Sequence, residues 1–294
     1  MDRRTFIKTT GTALLLAPAI ISDALAARER SLVAVAEGSD YPAITRRAIN
    51  ALGGMKRFVK PGDIVVVKPN MGWDRSSDLA ANTHPLVVRA VVEECLAAGA
   101  RKVKVFDHTC NDSRRCYVNS GIEGALKGIK GVECKQIEAE RFRKVALNGT
   151  FLKEWELYDE ALSANVYINV PVAKHHGLSK LTLGLKNVMG IMGGNRGYIH
   201  RNLDVALADV NAHFNSHLTI IDATRILTAH GPQGGNRADV KVLNKVIASI
   251  DTVAADAFAT TLFGMKPDDI PVTVAAYRRG LGEMNLDKIK VMKV

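Results

Sequence analysis

The chain has 294 residues, of which 47% are hydrophobic, 24% charged and 5% aromatic. That is ample apolar material for a packed core and excludes a disordered chain. The formal charge of +10 points to an anionic partner, but Lys and Arg are dispersed and aromatic platforms for bases are few, which excludes nucleic acid and favours a small anion.

The chain opens Met-Asp-Arg-Arg-Thr-Phe-Ile-Lys, so that Arg3 and Arg4 are followed by Phe6, Ile7 and Lys8. This is the spacing of a twin-arginine export signal. Residues 12–21 form an apolar run interrupted by Pro18, too short to span about 30 Å of hydrocarbon and suited to a signal core. Ala24-Leu25-Ala26 places small residues at the two positions a signal peptidase inspects, which predicts cleavage after Ala26. The expectation is a leader over residues 1–26 that engages the twin-arginine translocation machinery. The mature chain, residues 27–294, would then act in the periplasm or an equivalent exported location, with no stable membrane span.

Beyond the leader, residues 33–36 and 64–67 are short continuous apolar runs, and residues 42–52 between them have helical spacing that stops at Gly53-Gly54. They predict a strand, a helix and a strand. Residues 84–98 predict a helix with Pro85 in its first turn and Gly99 as its stop, followed by a strand over 102–106. Residues 111–149 are irregular, with short candidate strands at 133–137 and 144–147. A strand over 165–170 is ended by Pro171, and 178–192 has a helical pattern running into Gly193-Gly194. Further helices are predicted over 202–214, 253–262 and 272–279, and strands over 218–222, 242–250 and 289–292. The alternation predicts an α/β chain, a mostly parallel sheet layered by helices in one domain of one or two lobes.

Ligands of such sheets bind beyond the carboxyl ends of the strands, and here those positions are rich in polar groups. Lys68 and Asn70 follow the second strand, Asp107 and His108 the third, and Lys174, His175 and His176 the strand at 165–170. Lys186, Asn187, Arg196 and His200 punctuate the apolar, glycine-rich stretch that comes next. Cations beside a glycine-rich turn suit a phosphate or a carboxylate. A second set, His84, His108, His176, His200 and Asp222, has the donor types that suit a divalent zinc, iron or nickel ion, although no compact metal motif is present. The four cysteines, Cys95, Cys110, Cys116 and Cys134, contain no Cys-x-x-Cys pair, which argues against a ferredoxin-type iron-sulfur cluster. Cys110 and Cys116 are either a disulfide or two free thiols.

The segments VVVKPN, THP, INVPVAKHHGLSKLTLGLKNVMGI, IIDATRILTAHGPQGG and SIDTVAADAFA, with His200 between them, resemble the domain of unknown function 362 family from residue 33 to about 262. The Lys-x-His followed by Leu-Lys-Asn is the most specific part. The resemblance implies that Lys68, Asn70, Lys174, His176, Lys186, Asn187, His200 and Asp222 line one site. It also implies iron-sulfur modules in some relatives, whose cysteine run this sequence lacks.

The reading that results is an exported protein binding a small anionic substrate or cofactor through Lys68, Asn70, Lys174, Lys186 and Asn187. As an enzyme it would use His176 or His200 for acid/base work, with Asp222 orienting a histidine or holding a metal. As a non-catalytic ligand-binding or redox accessory protein it would use the same pocket without proton transfer.

Overall fold

A computed structural model describes residues 31–294, so the leader predicted over residues 1–26 lies outside the described residues. The strands are β1 (Leu32–Glu37), β2 (Ile64–Pro69), β3 (Lys102–Val105), β4 (Val132–Cys134), β5 (Phe142–Ala146), β6 (Glu154–Tyr158), β7 (Val166–Val170), β8 (Val172–His176), β9 (Lys180–Thr182), β10 (Leu218–Leu227), β11 (Val240–Ser249) and β12 (Lys290–Lys293). The helices are α1 (Tyr41–Ala51), α2 (Pro85–Ala97), α3 (Ser113–Asn119), α4 (Ile122–Leu126), α5 (Asp159–Leu162), α6 (Gly184–Asn187), α7 (Leu203–His213), α8 (Thr252–Thr260) and α9 (Pro271–Arg278).

Ten strands form one sheet in the order β12-β1-β11-β10-β7-β2-β3-β4, with β8 and β9 attached through β10, while β5 and β6 make a separate hairpin. Pairing is mostly parallel; β11 runs antiparallel to both β1 and β10, and β9 antiparallel to β8. Alternation along the strands divides the core. Val33 and Val35 of β1 and Val66 of β2 face one side, with α7, α8 and α9. Ala34, Ala36, Val65 and Val67 face the other, with α1 and α2. Helices cover both faces, which is why β1 and β2 carry continuous apolar runs. Among the described residues no helix is long and apolar enough to cross a membrane.

Pro171 ends β7 as predicted, and the chain resumes at Val172 as β8, paired with β10. One predicted boundary fails, for a physical reason. The helix predicted over 178–192 is instead the strand β9, one helical turn in α6 and a 3₁₀ stretch Val188–Ile191. Lys180 takes a positive φ of 62° in the β8–β9 turn. The buried Leu181, Leu183 and Leu185 alternate with period two, and together with Val188 they imitate helical spacing.

Within the irregular middle region β4 is shorter than predicted, and β5 begins two residues earlier. Cys110 is exposed, Cys116 is fully buried, and both are free thiols, so the disulfide alternative does not form.

Candidate functional site

After β2 the chain builds β3 and β4 on one side and returns to place β7 on the other. The crevice at the carboxyl ends of β2 and β7 is therefore a topological switch point, where strand-end loops diverge and leave room. A cavity of about 450 Å³ opens there, enough for a small organic molecule.

Its floor is a buried polar lattice. Lys68 ends β2 beside Asn169 of β7, and Asn187 of α6 joins them. Asn187 Oδ1 accepts from Lys68 Nζ at 2.8 Å and from Asn70 Nδ2 at 3.1 Å, while its Nδ2 donates to Asn169 Oδ1 at 2.8 Å. Lys68 Nζ also pairs with Asp107 Oδ1 at 2.8 Å, both side chains being almost fully buried. Burial pushes the Lys68 ammonium below its usual range, against the opposing pull of Asp107. The second carboxylate oxygen of Asp107 accepts from the Met71 N–H at 2.8 Å. Gly190 makes this packing feasible, since a Cβ there would lie 1.8 Å from Asp107 Oδ1 and 2.2 Å from Lys68 Cε.

Helix α6 is held by Asp256 of α8, whose carboxylate accepts from the N–H groups of Gly184 and Leu185 at 2.7 and 2.9 Å. Asx-like capping of a one-turn helix by a distant chain segment is a tertiary device for aiming Lys186 and Asn187. Burial raises the Asp256 carboxyl to about 7, opposed by those two hydrogen bonds.

The walls carry cations that have no carboxylate partner among the described residues. Lys174, 1% exposed, donates to Asn70 Oδ1 at 3.1 Å and to the Ala81 carbonyl at 2.5 Å, and lies 5.7 Å from the centre of the Trp73 ring. Burial lowers it to about 7, and the neighbouring Lys186 and Lys68 charges push the same way. Lys186 is lowered to about 8, again by burial first, and its ammonium contacts the Met189 sulfur at 3.3 Å. Arg196 is held by backbone carbonyls of His108, Thr109 and Met189 at 2.9, 2.9 and 3.4 Å. Asp107 is the one acidic residue on the cavity surface among the described residues, and it is committed to Lys68.

Two imidazoles on the cavity have fixed tautomers. His176 Nδ1 accepts from the N–H groups of Leu178 and Ser179 at 3.1 and 3.3 Å, so its hydrogen sits on Nε2. Burial and the charges of Lys186 and Lys174 lower it to about 3. His176 thus presents its Nε2–H as a donor, with Nδ1 occupied by the two backbone N–H groups. His108 is the reverse: Nδ1 donates to the Met192 carbonyl at 2.7 Å, leaving Nε2 as an acceptor. Burial and then Arg196 lower its pKa. Strand alternation turns the adjacent His175 the other way, where its Nδ1 accepts from the Gly231 N–H at 3.1 Å. His200 lies exposed at the rim.

Asp222 does not join the site. Its Oδ2 accepts from the His84 N–H at 2.7 Å, and its Oδ1 accepts from the N–H and hydroxyl of Thr224 at 2.9 and 2.7 Å. It fixes the start of α2, where His84 Nδ1 caps the Leu86 N–H at 3.2 Å. The expected metal set is therefore divided: His108, His176 and His200 border the cavity, and His84 and Asp222 do not. Among the described residues no group of three His, Cys, Asp or Glu side chains gathers as a metal ion requires. Sequence reasoning gave no site role to Trp73 or Cys110, which border the cavity on the loops after β2 and β3; their positions at strand ends were the available signal.

A family model described as a domain of unknown function (DUF362) matches residues 65–261. A thylakoid-associated protein of Synechocystis sp. is 28% identical over 255 residues, covering 83% of this chain and 77% of its own. Among solved structures, the lactate racemase apoprotein of Thermoanaerobacterium thermosaccharolyticum is similar at a TM-score of 0.49 and 12% identity, over 78% of this chain and 56% of its own. A Thermotoga maritima protein is similar at 0.47 and 12% identity, over 78% of this chain and 60% of its own. The chain thus spans little more than half the length of either solved structure.

Proposed function

This chain belongs to the DUF362 family, and we propose that its cavity is the active site of an enzyme acting on a small carboxylate or phosphate. One observation carries the reading. Lys68, Lys174, Lys186 and Arg196 border the cavity against a single carboxylate, which Lys68 consumes. Three cations facing a concave space without a counter-charge are a hole of anionic shape, because each desolvated charge is costly until a ligand pairs with it.

Roles follow from geometry. Lys186 and Arg196 hold the anion's charge, and the Nε2–H of His176 donates to one of its oxygens. Asn70 sets the position of Lys174, and Asn187 that of Lys68. Lys174, brought to about 7, exists in both protonation states near neutrality and is the group matched to general acid/base catalysis. His200 stands exposed at the rim of the cavity.

The test is calorimetric titration of phosphate and of small mono- and dicarboxylates into the wild-type protein, Lys174→Met and Lys186→Met. At least one of these anions binds the wild type, and each substitution weakens it tenfold or more. Unchanged binding in both variants removes the anion site. Binding that persists with no turnover of any bound carboxylate or phosphate ester would leave a ligand-binding protein.

We extend the proposal to location: residues 1–26 direct export by the twin-arginine machinery, so the site works in the periplasm or its equivalent. The supporting feature is the Arg3-Arg4 pair with its apolar run and Ala24-Leu25-Ala26. N-terminal sequencing of the exported protein should begin at Ala27, and replacement of both arginines by lysine should retain the precursor inside the cell.

A further inference from the structure

Of the four cysteines, three are withdrawn from chemistry. Cys95 and Cys116 are fully buried, and Cys134 packs half-buried against the core on the α1–α2 side of the sheet. Burial pushes the Cys116 thiol up to about 11 and Cys134 up to about 12, so both stay protonated and inert at neutral pH. Cys110 differs in every respect. It is exposed and borders the cavity that Lys174, Lys186 and Arg196 line.

Its placement is fixed rather than incidental. The Cys110 N–H donates to the Gly72 carbonyl at 2.8 Å, and the guanidinium of Arg196 grips the carbonyls of the two preceding residues. The loops after β2 and β3 are thereby tied together under the sulfur. A Cβ at Gly72 would stand 3.9 Å from Cys110 Sγ and 3.7 Å from Asp107 Oδ2. Cys110, Lys68 and Asp107 all border the same cavity.

We infer that Cys110 is the nucleophile of this cavity, a thiolate that attacks an electrophilic carbon of the anion held by Lys186 and Arg196. Thiolates react where cations surround them and solvent can reach them, and this cavity supplies both. The substrate class is a small carboxylate or phosphate with a carbonyl carbon within reach. In the step, the sulfur lone pair forms the S–C bond, the C=O π pair moves onto oxygen, and that oxygen takes the proton that left the thiol, relayed by Lys174. No oxidant or reductant is consumed.

This inference rests on the anion-site reading above, and one experiment separates the two. The full-length protein is alkylated with iodoacetate, an anion, and in parallel with neutral iodoacetamide; in both cases the thiolate displaces iodide. Labelling at Cys110 is timed by peptide mass spectrometry, with glutathione as the free-thiol reference, and the phosphate-induced rise in melting temperature is recorded on the same preparation. The expected result is a rate ratio of iodoacetate to iodoacetamide at least tenfold above that of glutathione. Phosphate should abolish the preference in the wild type, and Lys186→Met should reduce it towards the glutathione value. A Cys110 ratio no greater than that of glutathione, with the phosphate-induced rise intact, overturns the nucleophile while leaving the anion site standing. If phosphate gives no such rise and no preference is seen, both readings fall together.

Discussion

Replacing Lys174 by Met separates function from stability in opposite directions. The ammonium is 1% exposed and falls from 10.5 to about 7 on folding, which at about 1.4 kcal/mol per tenfold change in proton affinity amounts to about 5 kcal/mol. At pH 7 roughly 4 kcal/mol of that opposes folding. Met keeps most of the stem volume but forfeits the hydrogen bonds to Asn70 and Ala81, each worth about 1 kcal/mol. The balance is a ligand-free protein stabilised by about 2 kcal/mol, or a melting temperature about 4–8 °C higher for a chain of this size. In wild type, phosphate at 100 times its dissociation constant adds about 2.7 kcal/mol, whereas Lys174→Met loses most of that increment. Differential scanning calorimetry at pH 7 with and without phosphate reads both quantities. A variant less stable than wild type and equally stabilised by phosphate would refute the reasoning.

The pH dependence has a definite sign. Lys174 and Lys186 titrate in the folded protein at about 7 and about 8, below their unfolded 10.5, so the unfolded chain binds more protons across that window. Ligand-free stability from these groups therefore rises with pH towards 10.5 and is lost as pH falls through about 8 and then about 7. Anion affinity runs the other way and drops by at least about tenfold between pH 6 and pH 9, a trend that calorimetric titration across the range checks.

Asp107→Asn should leave Lys68 buried without its charge and cost about 3–5 kcal/mol by chemical denaturation; a loss under 1 kcal/mol would remove the pair from the site's support. Gly190→Ala forces a methyl into the Lys68–Asp107 contact and is expected to cost about 3 kcal/mol and abolish phosphate binding. Asp222→Ala should lower stability by about 2 kcal/mol through the lost anchor of α2 and keep the phosphate-dependent melting shift; loss of that shift at full stability would return Asp222 to the active site.

Periodicity made the strand and helix alternation legible because strands covered on both faces carry continuous apolar runs, as in residues 64–67. For the same reason the cations beside apolar runs stood out: Lys68 in β2, Lys174 in β8 and Lys186 in the one-turn helix α6. Local pattern could not show that Leu181, Leu183 and Leu185 continue a hairpin into a single helical turn, since periods of two and of 3.6 coincide over so few residues.

Chemical roles were decided by tertiary contacts alone. Asp222 and His176 are both polar residues near strand ends in sequence, yet three donors from His84 and Thr224 consume one, and two backbone N–H groups fix the tautomer of the other. Lys68 and Lys174 are the same residue type in the same kind of position. One received a carboxylate from a neighbouring strand end and the other only neutral oxygens. Which charge is compensated depends on groups about 40 to 140 positions away in the chain, and only folding brings them within hydrogen-bond reach.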